Sequence, residues 1–268
     1  MLKKLLRQSC GVLLGTILLS GLAFAENQYD RDANCRDLPS QWELKAALKA
    51  AQDQANGGFG LEMWATVVNR DGEVCAVAFT GHDRGDQWPG SRVISAQKAN
   101  TANAFSLPGL VLSTANLFTA VQPGGSLFGL QESNPVDTSV AYRGNSANYG
   151  QSNDPMNGEK IGGVNVFGGG LALYAKQNGK RVLVGAIGVS GDSSCADHNI
   201  AWRTRNTLRL DYVPGGVSGD ATRPDNIVYD ITPQTGQMPG ESAGGWGHPT
   251  CSAAATAIAA GLPIVRVP

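Results

Sequence analysis

Apolar and polar positions alternate along this chain in short, well-bounded blocks. Ser40-Gln-Trp-Glu43 has the form of a capping box, and Leu44, Ala47, Leu48 and Ala51 recur behind it at helical spacing. This predicts a helix from about 41 to 55, closed by Asn56-Gly57-Gly58. Residues 61–68 and 73–80 are rich in strand formers, and Asn69-Arg70-Asp71-Gly72 between them predicts a hairpin turn. A second helix is expected over 91–105 and a short third one over 113–121, ended by Pro123-Gly124-Gly125. Residues 161–174 read as a strand with a glycine bulge. Gln177-Asn178-Gly179-Lys180 predicts a second hairpin, returning along 181–189. A helix follows over about 193–210, then one strand near 226–231 and a small helix over 252–260.

Two hairpins with helices before, between and after them predict an α+β fold: a single antiparallel sheet flanked by helices. Residues 126–160 break the rhythm. They carry Asn-Pro, Arg-Gly-Asn and Asn-Asp-Pro signals and little periodicity. A structureless run of that length inside a domain is uncommon unless it serves a function or an interface. It reads as an insertion, a lid or an oligomer arm. Residues 211–268 are again rich in loops and read as a C-terminal extension of one domain spanning 26–268.

The run 182–189 is almost continuously apolar, as in a strand covered on both faces. Gly185, Gly188 and Gly191 leave one track of it bare, so that a backbone or a ligand can come close. Strand, glycines and helix also outline a phosphate site. The spacing is G-x-x-G-x-x-G, however, and no Walker-type lysine follows, so a core strand under a helix is the expected reading.

Residues 1–25 have the pattern of a secretory leader. Lys3, Lys4 and Arg7 precede an apolar stretch too short for a comfortable membrane span, and Ala23-Phe24-Ala25 offers a cleavage site. A periplasmic or secreted protein is expected, with no membrane span after cleavage. The leader holds three of the 21 Lys and Arg and none of the 22 Asp and Glu, so the remaining chain is acidic by about four charges. No basic run remains, which argues against a nucleic-acid partner. Four cysteines lie beyond the leader: Cys35, Cys75, Cys195 and Cys251. In an oxidising compartment they imply two disulfides. Three pairings are open. Cys35–Cys75 with Cys195–Cys251 is favoured, because each bridge would tie a terminal segment to a core element.

Several blocks resemble the GlcG/HbpS haem-binding family. Gly163-Val164-Asn165-Val166, Asn178-Gly179-Lys180 and the run from Val184 to Gly191 are similar to its closing hairpin. The turn from Asn69 to Gly72 resembles its first hairpin turn, and Lys98-Ala99-Asn100-Thr101-Ala102 its Lys-Ala-x-Thr-Ala helix. The likeness spans about 40–210, interrupted by 126–160. It implies one sheet flanked by helices in a profilin- or PAS-like layered sandwich, usually oligomeric. Members bind haem and in some cases degrade it. A homo-oligomer that takes up haem or another small planar ligand is therefore expected.

Haem needs an axial ligand, an apolar slot and cations for its propionates. The histidines are His82, His198 and His248. On the predicted helix, Cys195, His198, Trp202, Arg205 and Arg209 fall on one stripe, which would suit iron ligation, ring stacking and propionate pairing. The opposite stripe, Ala196, Ile200, Thr204 and Leu208, is expected to pack on the sheet. The competing reading of the histidine stripe is an oligomer contact or a face covered by the tail. A Cys195–Cys251 bridge would bring His248 and Trp246 near it. His82, with Arg84, Trp88 and Arg92 close in sequence, is the rival iron ligand, in a loop that could equally be a surface turn held by Asp–Arg pairing. The catalytic signals are weak. Ser190 is not in a G-x-S-x-G elbow, and no H-E-x-x-H motif occurs. Alternatively the protein is a periplasmic sensor or accessory module for a different metabolite or a protein partner.

Overall fold

The computed structural model describes residues 34–268. The expected leader lies outside them. Residues 37–268 form one compact unit.

The centre of this unit is a four-stranded antiparallel sheet in the order β2-β1-β4-β3. Here β1 is Trp64–Asn69, β2 is Val74–Phe79, β3 is Gly170–Gln177 and β4 is Lys180–Ser190. The two hairpins are the expected ones, joined by pairing β1 to β4. Positive φ at Gly72, Asn178 and Gly179 places the turns where the sequence signals them. The alternation of β1 sorts the core. Ala65 and Val67 pack with helices α1 (Gln41–Gln52) and α4 (Ser194–Thr207) on one face. Trp64 and Val68 pack with helix α2 (Ser91–Ala104) on the other. The result is the α+β sandwich implied by the pattern: one sheet with helices on both faces.

Helix α1 is set by its capping box. The Ser40 hydroxyl accepts from the Glu43 N–H at 3.3 Å, and Glu43 Oε2 accepts from the Ser40 N–H at 2.9 Å. Leu44, Ala47, Leu48 and Ala51 are buried, as the periodicity requires. Two fully buried leucines contribute roughly 2–3 kcal/mol each.

The bare glycine track admits backbone. A Cβ on Gly188 would lie 1.9 Å from the Ser95 carbonyl oxygen and 2.5 Å from the Ala99 nitrogen, so the glycine lets α2 settle directly on β4. The Lys98 ammonium then reaches the Val189 carbonyl at 3.0 Å and Asp197 of α4 at 2.7 Å, joining the helices of opposite faces.

Four expectations change. Residues 161–169 are not strand, because left-handed backbone at Gly162, Gly163 and Gly169 delays β3 to residue 170. The third helix is two 3-10 turns, Thr114–Leu117 and Thr119–Val121. The strand expected near 226–231 is a hairpin, β5 (Ile231–Gln234) with β6 (Gln237–Ser242), turning at Gly236. The fourth concerns α4, where Cys195, His198, Trp202 and Arg205 are buried as well as Ala196, Ile200 and Thr204.

The 127–160 segment contains a one-turn helix α3 (Thr138–Ala141) and is held by Arg92 of α2. That guanidinium donates to Asp154 from Nε at 3.0 Å and from Nη2, and to the Ala141 carbonyl at 2.7 Å. The tail is held in the same way. Arg205 pairs in bidentate fashion with Asp225 (2.5 and 2.9 Å), and Trp202 Nε1 donates to the Pro263 carbonyl at 2.9 Å. The Cys195–Cys251 disulfide is present, beside helix α5 (Ala253–Ala260). Cys35 and Cys75 are also disulfide-bonded. Among the described residues no helix is long and apolar enough to cross a membrane.

Replacing Gly188 with Ala should separate α2 from β4 and cost about 3 kcal/mol. Chemical denaturation would check this; a midpoint equal to that of the parent protein would contradict the close-packed helix–strand contact.

Candidate functional site

In the loop from Gly81 to Gly90 the carboxylates bind the loop's own backbone. Asp86 accepts from the N–H groups of His82 (2.8 Å) and Asp83 (2.9 Å), which hold its carboxyl below the usual range. Asp83 accepts from Gly85 at 2.8 Å, and Gln87 bridges Gly81 and the Asp83 carbonyl. Arg84 lies 3.5 Å from Asp83, a weak exposed pair. The Asp–Arg turn expected as the competing reading is thus present, and it also shapes a cavity.

That cavity has a volume of about 360 Å³. Trp64, Pro89, Val93, Tyr142 and Tyr149 give it a largely aromatic and apolar wall, and Asp83, Arg84 and Arg92 also line it. Trp64 is fully buried and meets Phe79 edge-on, with ring centroids 5.1 Å apart. Its indole N–H has no acceptor among the described residues. The ring of Tyr149 stacks over Arg92 at 3.6 Å, and its hydroxyl donates to carbonyls of the 142–143 turn. The Arg92–Asp154 pair therefore fixes one wall and the 81–90 loop the other. His82 precedes the lining residue Asp83 and is exposed.

The second predicted group has another fate. His198, Trp202 and Arg205 do share one side of α4, but each is buried, and Trp202 belongs to the main core. Arg205 also donates to the Ala172 carbonyl at 3.1 Å, so its charge is spent inside the protein. The Trp202 and Arg205 side chains both make internal contacts with the tail over this face, the competing reading that the sequence left open. Arg209 lies beyond the helix, in left-handed backbone. The His198 ring lies 6.0 Å from the Trp202 ring, and among the described residues neither of its nitrogens has a close hydrogen-bond partner. Burial, then the nearby Arg205, hold it well below the usual range for histidine. His248 is brought close by the Cys195–Cys251 bridge, as expected. Its Nδ1 lies 2.8 Å from the Pro249 carbonyl, its Nε2 lies 3.3 Å from the Ser194 hydroxyl, and burial pushes it down to about 4. Neither described cavity has a histidine in its wall.

A family model described as haem-degrading protein, HbpS-like, matches residues 41–205. The chain belongs to the HbpS-like family. Among solved structures, a crystal structure of a PduOC–haem complex is 21% identical, covering 62% of this chain and 88% of that one, with a TM-score of 0.41. The Klebsiella pneumoniae protein ORFY, of family DUF336, is 23% identical, covering 62% and 86%, also with a TM-score of 0.41. No curated protein matches. The HbpS-like region thus contains the sheet, helices α1 to α3, nearly all of α4 and the aromatic cavity, and the tail after residue 205 lies beyond it.

Sequence reasoning reached Arg84 and the 81–90 loop but missed Trp64 and Tyr149. The signal for Trp64 was a tryptophan at the first position of a strand that ends beside a loop rich in charge. Lys98 was noted only as a motif residue. Its partner Asp197 is raised to about 6 by burial, which outweighs the attraction of Lys98.

The buried histidines set a pH dependence. In the unfolded chain histidine titrates near 6.5, whereas folded His248 titrates near 4. Between these values the unfolded state binds the extra proton, so stability falls as pH drops from about 6.5 to about 4 and levels off below. Asp197 acts in the opposite sense, because its folded carboxyl takes up a proton first. The histidine contribution is roughly 3 kcal/mol. Denaturant midpoints at pH 7 and pH 4.5 should therefore differ less in His248→Gln than in the parent protein; equal differences would contradict a neutral, buried His248.

Proposed function

We propose that the protein is an exported haem-binding member of the HbpS-like family, with the haem seated in the aromatic cavity beside the 81–90 loop. Family membership motivates the ligand. The observation that carries the site is the cavity itself: apolar and aromatic walls, an indole N–H at Trp64 without a partner among the described residues, and the half-exposed Arg84 beside it. These residues fit a planar, partly apolar, anionic ligand. His82, next to the lining residue Asp83, would hold the iron, Arg84 would pair with a propionate, and Trp64, Val93, Pro89 and Tyr149 would flank the ring. A bound haem would bring iron-centred redox chemistry. The chain's own part is to orient the ring, exclude water from one side and offset the propionate charge.

The same proposal assigns the added segments. Residues 126–160 are an insertion that forms the outer wall of the cavity through Tyr142 and Tyr149. Residues 211–268 are an extension that seals α4. Export agrees with the Cys195–Cys251 bridge, and a homo-oligomer with the exposed Trp42, Phe59 and Phe128.

A smaller planar metabolite in the same cavity is the second reading. It is favoured by the absence of a histidine from the cavity wall.

Titrating the purified protein with hemin should give a saturating Soret band at one equivalent. His82→Ala or Arg84→Ala should weaken binding about tenfold or more, and His198→Ala should leave it unchanged. A featureless titration accompanied by stabilisation with small aromatic carboxylates would favour the second reading.

A further inference from the structure

One pair of side chains outside the cavity is arranged for chemistry that the proposed haem site does not use. Ser194 is the first residue of α4. Ser193 takes the capping role, its hydroxyl accepting from the Ala196 N–H at 3.4 Å, so the Ser194 hydroxyl is left free of that duty. The Ser194 hydroxyl oxygen lies 3.3 Å from His248 Nε2 and 3.5 Å from the disulfide sulfur of Cys251. On the far side of the ring, Nδ1 lies 2.8 Å from the Pro249 carbonyl oxygen, a contact that needs the proton on Nδ1. Nε2 therefore presents its lone pair to the serine. Nucleophile, base and orienting acceptor stand in a row, with a backbone carbonyl in the place usually held by a carboxylate.

The surroundings support this order. His248 is buried and tilted against Phe118, with ring centroids 5.2 Å apart. Burial, with the charged Lys98 acting in the same direction, holds it near 4, so it is neutral at physiological pH and a weaker proton acceptor than a free imidazole. Ser194 is only half-buried. The Cys195–Cys251 bridge joins the residue after Ser194 to the segment carrying His248 and so holds the two side chains together. At the start of α4, the Cys195 N–H is taken by Cys251 Sγ at 3.2 Å and the Ala196 N–H by Ser193. The N–H of Ser194 itself makes no hydrogen bond among the described residues. It lies at the positive end of a 14-residue helix, where a developing oxyanion is favoured. Gly168 packs on the Ser194 carbonyl, where a Cβ would come within 2.4 Å, and the residue before it in the chain is the exposed Phe167.

We propose that Ser194 and His248 form a nucleophile–base pair that cleaves short acyl esters of aromatic alcohols. Ser194 Oγ attacks the ester carbonyl carbon as its proton passes to His248 Nε2. The tetrahedral oxyanion faces the Ser194 N–H. The bond to the aromatic alcohol breaks, and the leaving oxygen takes the proton from Nε2. Water, deprotonated by the same nitrogen, then releases the acyl group as a carboxylic acid and restores Ser194. Phe167 offers a surface for the aromatic ring. A separation of 3.3 Å lies just beyond hydrogen-bond reach for a catalytic pair and is of the kind that tightens when substrate binds.

The test uses the full protein without hemin, so its outcome is independent of haem binding. Hydrolysis of 4-nitrophenyl acetate is followed, and the protein is separately treated with a fluorophosphonate probe and mapped by peptide mass spectrometry. The expected result is an adduct on Ser194, with turnover reduced about a hundredfold or more in both Ser194→Ala and His248→Gln. Thermal melting of Ser194→Ala verifies that it is folded, and mapping of the parent protein does not depend on any variant. Absence of an adduct on Ser194, or turnover in folded Ser194→Ala equal to that of the parent, would overturn the assignment.

Discussion

The ion pair between Lys98 and Asp197 is the contact on which the two layers of this protein depend. It joins the helix on one face of the sheet to the helix on the other, in surroundings that exclude water. Such a pair gives little net stability, because desolvating both charges offsets their attraction. Removing one partner is costly, on the order of 3–5 kcal/mol, because a lone charge then stays buried. The pair therefore acts on register: it tolerates one placement of α2 on α4 and penalises others. Arg92–Asp154 and Arg205–Asp225 are buried in the same way and do the same for the two segments with least apolar periodicity. Apolar burial builds the sheet and its helices, and charge pairing fixes where the added segments lie.

That division explains what could be read from the chain. The sheet and α1 rest on local signals: strand-forming runs, Asn-Gly and Asp-Gly turns, and a capping box contained in four residues. Their positions follow from the sequence within a few residues. The clamps do not, because Arg92 and Asp154 are far apart in sequence and nothing near either names the other. The α4 stripe shows a further limit. Periodicity correctly put His198, Trp202 and Arg205 on one side of a helix. It could not say whether solvent or the tail lay opposite, since the covering contacts come from Asp225 and Pro263. Stacking and charge pairing were sound expectations for those residue types; their partners are a carbonyl and a carboxylate of the same chain.

The proposed haem cavity follows from the same construction. One wall is a loop whose carboxylates bind its own backbone, and the other is a segment tied to α2 by the buried Arg92 and to β2 by backbone hydrogen bonds. Arg92 thus supports the cavity from behind, with Tyr149 stacked on its guanidinium plane. Ser194 and His248 lie elsewhere, where the tail meets the start of α4. The cavity and the serine–histidine pair each stand beside a different cross-link: the Arg92–Asp154 ion pair for the cavity and the Cys195–Cys251 disulfide for the pair.

The Cys195–Cys251 bridge spans 56 residues and has a topological effect. It turns most of the segment beyond α4 into a covalent ring. A protease that nicks the exposed β5–β6 turn cannot release the C-terminal end, because α5 and the Pro263 contact stay tethered through Cys251 to the helix they cover. Outside the cell, where thiols oxidise and proteases are common, the seal over α4 would outlast the continuity of the chain that forms it.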